Sequence, residues 1–230
     1  MSAPAPTSRL TGGDMLAGLG FIVLFLAGMV ASSPPANSAS NAQWVANYTG
    51  HGNQWSHLGS GVFLILAALS LMIFLTGMWQ RVRNARPDAA ISPLPLVAGG
   101  VGAACMAFGG LIMAYVSGSE LSGAYPLPSA DLLRFSNGLG FAVTAIPGMA
   151  ANALCIAVLA VQARRVGVFG PRMAVFTWIV AAILLLSILF VPIAALMLWI
   201  VVCLVGARRS RQAEPMSQPG LRTPVLTREP

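Results

Sequence analysis

Residues 173–207 read MAVFTWIVAAILLLSILFVPIAALMLWIVVCLVGA, an apolar run without a single charge. As one α-helix it would be about 52 Å long, at 1.5 Å per residue, against a hydrocarbon core of roughly 30 Å. One helix fits only by extreme tilt. Two helices fit if the chain turns, and Phe190-Val191-Pro192 supplies the turn, because the residue before a proline is pushed out of helical conformation. Each half is then near the lower length limit for crossing a bilayer.

Four more apolar runs precede it, at about 15–32, 57–79, 94–116 and 137–162. Trp55 and Trp79 sit near the two ends of the second run, roughly 36 Å apart along a helix, which matches an aromatic belt at each interface. Pro147-Gly148 is expected to kink the fourth, as membrane helices tolerate. Ser129 can cap the helix that leads into it. The first run is expected to be retained rather than cleaved as a signal: it is long for such a segment, and Asp14 offsets Arg9.

Charge decides whether the last stretch is one helix or two. With six helices and the N-terminus inside, every arginine except Arg134 is cytoplasmic. With five helices, Arg208, Arg209, Arg211, Arg222 and Arg228 move outside and the bias disappears. The positive-inside rule selects six. The expected fold is an all-α polytopic membrane bundle of six helices in three hairpins, with both termini cytoplasmic. Residues 1–14 form a flexible tail, 15–208 the membrane domain, with its closing helices at 173–190 and 192–207, and 209–230 a second tail.

Composition sets the class. The chain has 230 residues, of which 57% are hydrophobic and 8% charged, and its mean hydropathy is +0.77. A soluble domain carries about 25% charged residues. An ordinary water-soluble enzyme, a disordered chain and a nucleic-acid-binding domain are excluded. The net charge of +7 orients the chain rather than recruiting nucleic acid. Cys105, Cys155 and Cys203 lie in apolar runs and read as small packing residues.

No Asp, Glu, Lys, Arg or His lies inside any span. Ion-coupled transporters, proton pumps and voltage sensors place ionisable groups there, and a haem cytochrome needs axial ligands on its helices. No cofactor is expected. The small or polar residues Gly140, Thr144, Gly148 and Asn152 recur every four positions on one helix face. Gly99, Ala103 and Ala107 do the same in the third span. Such stripes let helix backbones approach closely. Read functionally, Asn152 beside the Pro-Gly kink lines a polar cleft, with Thr144 on the same face.

Toward the outside collect His51, His57, Glu120, Asp131 and Arg134. Asp131 and Arg134 are three apart and can pair on one turn. Histidines with carboxylates can bind a metal or act as acid and base, but the histidines are six apart and the carboxylates lie in another loop. No metal site is expected. Trp79-Gln-Arg-Val-Arg83 and Gln162-Ala-Arg-Arg165 echo one another. Duplication of a hairpin and positive-inside selection both explain that echo.

The uncharged loop with Trp44, Tyr48 and His51, the second span ending in Arg81-Val82-Arg83, and the closing hairpin give the chain a layout. It resembles bacterial multi-pass integral membrane proteins of unassigned function. The resemblance implies an inner-membrane location and no particular activity. The expected function is a non-enzymatic structural or accessory membrane component, in contact with lipid and with another membrane protein or further copies of itself. A carrier or channel for a neutral or apolar solute, and a membrane enzyme with an outer polar site, are the alternatives.

Overall fold

A computed structural model describes residues 10–32, 34–123, 125–186 and 191–212. The tails expected at 1–14 and 209–230 fall mostly outside these residues, as does Phe190 of the expected turn. Among the described residues the chain is all-helical, with no strand.

The first helix, α1 (Gly12–Ala31), opens on a capping box: Thr11 accepts from the Asp14 amide, and the Asp14 carboxylate accepts from the Thr11 amide. The stretch 33–56, read as a polar loop, holds a further helix, α2 (Asn41–Thr49). Its signal is Ser40-Asn-Ala-Gln43, a second capping box that the absence of long apolar residues hides. Gly50 breaks the chain, and α3 (His51–Ala85) begins six residues before the expected span. Helix α4 covers Leu94–Leu121. The fourth span is α5 (Ala130–Val143), a π-turn (Thr144–Gly148) and α6 (Met149–Arg165) in sequence. Pro147 lacks the N–H an α-helix needs and its ring crowds the preceding turn. The wider π-turn accommodates it, and the helix carries on.

Helix α6 closes in a Schellman turn. Gly167 takes φ +80°, and the amides of Val168 and Gly167 bond Ala163 and Arg164 carbonyls. The short turn leads into α7 (Pro171–Leu185) and, after the undescribed residues, α8 (Val191–Gln212). The apolar run 173–207 is thus two helices. The buried Trp199 indole donates to the Thr177 hydroxyl at 3.0 Å, and these residues lie eleven positions either side of residue 188, so α7 and α8 form an antiparallel hairpin. Among the described residues, five helical segments are long and apolar enough to cross a membrane: Gly12–Ala31, His51–Ala85, Leu94–Leu121, Ala130–Arg165 and Val191–Arg208. Helix α7, at 15 residues, is shorter.

Successive long helices run antiparallel. Gly18 of α1 packs on Phe74 of α3, and Gly28 on Ser60 and Leu64. The Ser60 hydroxyl donates to the Gly28 carbonyl at 2.7 Å. Gly61 of α3 meets Gly110 and Ala114 of α4. On the other face of α4, Gly99 meets Cys155, Gly102 meets Asn152, and Gly109 meets Gly140 and Thr144. Ile200 of α8 returns to Gly18 of α1 and closes the bundle. This register gathers Arg81, Arg83, Arg86, Arg164, Arg165, Arg172 and Arg208 at one end. There the Trp79 indole and the Gln162 amide both donate to the Ser92 carbonyl. Arg134, His51, His57, Glu120 and Asp131 lie at the other end.

A Cβ on Gly61 would strike the Gly110 carbonyl and Ala114, and one on Gly109 would strike the Gly140 carbonyl and Thr144. Gly61→Ala and Gly109→Ala are each expected to destabilise the bundle by about 1–3 kcal/mol through overpacking. A Cβ on Gly59 meets nothing, so Gly59→Ala is expected to be neutral or to stabilise by up to about 1 kcal/mol through helix propensity. Thermal unfolding in mild detergent reads the difference. Indistinguishable melting of the three variants would refute the close contacts.

Candidate functional site

At the end opposite the arginines, four side chains form a column. Trp44 and Tyr48 are four apart on α2, so both face inward, where they pack with Val116, Ala130 and Leu133. The Trp44 indole donates to the Ala36 carbonyl at 3.3 Å. The rings of Trp44 and Tyr48 lie 6.5 Å apart, stacked at 11°. Tyr48 in turn stacks on His57 at 4.3 Å and 4°. The Arg134 guanidinium lies over the Trp44 ring, 5.6 Å from its centre. Burial pushes the Tyr48 phenol above its ordinary value, since the anion loses solvation.

Both ring nitrogens of His57 and both terminal nitrogens of Arg134 are engaged. With Nε2 protonated, His57 donates to Asn47 Oδ1 at 2.7 Å, and Nδ1 accepts from the Ser32 hydroxyl at 3.3 Å. That uses the one donor and one acceptor of a neutral imidazole. Arg134 donates to Asn41 Oδ1 at 2.7 Å, to Asp131 Oδ1 at 3.0 Å and to the Ala39 carbonyl at 2.7 Å. The Asp131 side chain is 85% exposed, so its ion pair contributes little. The other two bonds fasten Arg134 to α2 and the segment before it.

The expected outer group therefore divides. His57 and Arg134 are joined through α2. Asp131 touches the rim. His51 is exposed at the start of α3, outside the column. Glu120 is half-buried, and its Oε2 has no partner among the described residues. No group of three or more His, Cys, Asp or Glu converges to hold a metal ion among the described residues. Sequence reasoning missed Trp44 and Tyr48 as a pair. Their four-residue spacing behind a Ser-x-x-Gln capping box was the available signal.

The inner stripe packs closely on α4, as its small residues suggest, and the functional reading of Asn152 is what differs. Asn152 does not line a cleft. It is 1% exposed, wedged against Gly102, and both its amide atoms lack partners among the described residues. The stripe serves close packing, because a glycine on α4 stands opposite each larger group. Thr144 does border a cleft of about 410 Å³ between α1 and α5, although its hydroxyl donates to the Gly140 carbonyl at 3.1 Å.

Arg134→Met, which removes the bonds to α2 and the cation over Trp44, is expected to loosen α2 by more than about 2 kcal/mol, since bonds to charged groups are the strong ones. Asp131→Asn is expected to change stability by less than about 1 kcal/mol. Hydrogen exchange over residues 41–49 measures both. Equal exchange in the two variants would show that Arg134 does not hold the helix. Compared with known proteins, the chain matches no family model, no curated protein and no solved structure.

Proposed function

We propose that the chain is a six-span integral protein of the bacterial inner membrane, with both termini cytoplasmic, and that it serves as a non-enzymatic structural or accessory component of a membrane assembly. One observation carries the functional reading. The histidine and arginine that chemistry at the outer end would use are committed to holding α2: the ring nitrogens of His57 are both paired, and Arg134 bridges Asn41, Ala39 and Asp131. A general base needs a free lone pair within reach of its substrate.

The topology draws support from the arginine end. Seven arginines collect there, as the positive-inside rule requires of a cytoplasmic face. Helix α7 is short, about 22 Å against roughly 30 Å of hydrocarbon, and local thinning of the bilayer accommodates such a helix at modest cost. Its pairing with α8 through Thr177 and Trp199 supports a sixth crossing.

The carrier reading placed Asn152 on a solute path. Its burial against Gly102 favours packing instead. Asn152→Leu removes an unpartnered buried amide but adds bulk against Gly102, so the two effects are expected to offset and shift stability by less than about 2 kcal/mol. It should also leave unchanged any complex the protein forms. Gentle extraction from the native membrane followed by native mass spectrometry tests both points. A stable complex with another protein, kept in Asn152→Leu, supports the accessory reading. A lone chain, or loss of the complex in the variant, counts against it.

A further inference from the structure

We propose that the cleft between α1 and α5 binds an uncharged amphiphile: one hydrocarbon chain carrying a neutral, hydrogen-bonding head such as a glycerol ester. Only the depth assigned to the cleft rests on the membrane reading above. The cleft lies at the end opposite the arginines and measures about 410 Å³, within the roughly 300–1,000 Å³ of small-molecule sites. Its floor is the flank of α3 and α4, at Leu64 and Met113.

Polarity is graded along it. The deep part is apolar, with Phe25 and Ile193. The rim carries Asn37 and Asn137. The other hydroxyls along the wall are already used: Ser60 donates to Gly28, Thr144 to Gly140, and Ser32 pairs with His57. The two amides therefore supply the free donors and acceptors. Among the described residues no charged side chain lines the cleft, so an ionic head would enter without a counter-charge from them and lose solvation. A wholly apolar guest would leave the rim amides unused. An amphiphile with an uncharged head satisfies both ends. Since the rim falls at the membrane surface and the floor in the hydrocarbon, such a molecule would keep its bilayer orientation inside the site.

Gly138 offers a clean block. It borders the cleft, yet a Cβ there meets nothing within 4 Å, so Gly138→Phe fills the opening without disturbing helix packing. Gly59→Phe, at another open glycine outside the cleft, is the control. The full chain is purified in detergent, and adducts with glycerol monododecanoate and with dodecyl phosphate are compared by native mass spectrometry. The expected result is a one-to-one adduct with the glycerol ester. It should weaken about tenfold or more in Gly138→Phe, as loss of most of the buried ligand surface implies, and persist in Gly59→Phe. Dodecyl phosphate should bind much more weakly. A neutral lipid that co-purifies and disappears in Gly138→Phe supports the site and assigns its ligand to the bilayer. Probe binding to protein that carries no such lipid supports it and assigns the ligand to a free solute. Absence of an adduct, equal adducts in the two variants, or equal binding of the phosphate overturns the proposal.

Discussion

The architecture depends on how closely α4 approaches its neighbours. Helix α4 lies between α3 and the α5–α6 segment, and both contacts are made by backbone against backbone. Gly61 faces Gly110 on one side, and Gly109 faces Gly140 on the other. In a bilayer the lipid tails are as apolar as leucine, so burial alone gives helices little reason to associate. What remains is dispersion between well-fitted surfaces, and it falls off steeply with a gap of even half an ångström. Glycines on both sides of each contact allow that fit. Larger residues then point outward, where Val97, Phe108 and Leu111 of α4 are exposed.

The end opposite the arginines is held by different physics. Helix α2 has nine residues, and an isolated helix of that length is unstable in water. It persists because Trp44 and Tyr48 bury their rings against α4 and α5 while each polar contact reaches a different element. Arg134 comes from α5 and His57 from α3, while Ser32 at the end of α1 pairs with His57 rather than with α2. A single short helix thus ties α3 and α5 together and packs on α4 at the end where the close contacts of α4 run out. Stacking of a guanidinium, an indole, a phenol and an imidazole suits this position, since each group is apolar in its face and polar at its edge.

Hydrophobic length made the long helices legible, and the division of the run 173–207 into two helices was readable for the same reason. The small-residue stripes revealed that backbones would meet, though not which helix would meet which. The helix at 41–49 was hidden because its amphipathic face holds only two large residues. The π-turn was hidden because proline in a membrane helix signals only that a hydrogen bond is missing. The chain can answer with a kink or with a wider turn, and neighbouring packing decides between them. His57 and Arg134 were visible as polar residues near one another. Their joint role was not, because it runs through α2, which had been read as loop.

Unpaired polar atoms show how the two regimes divide the molecule. Gln54 Oε1, Ser117 Oγ, Glu120 Oε2 and Arg134 Nε are buried without partners among the described residues, as is Gln162 Oε1 at the arginine end. The antiparallel register of α3, α4 and α5 brings the first four to nearly one level, at the end opposite the arginines. Groups there are one layer from solvent, and a penetrating water can serve them. Asn152 stands in mid-bundle, far from either end of the helices, where an unmet amide costs most. Its position makes sense only through its neighbour. Gly102 leaves a narrow space on α4 that the flat amide fills. A leucine has as many heavy atoms but a bulkier, tetrahedral end, so it would escape the desolvation penalty only by crowding the Gly102 backbone, and the planar shape of Asn152 is what the contact uses.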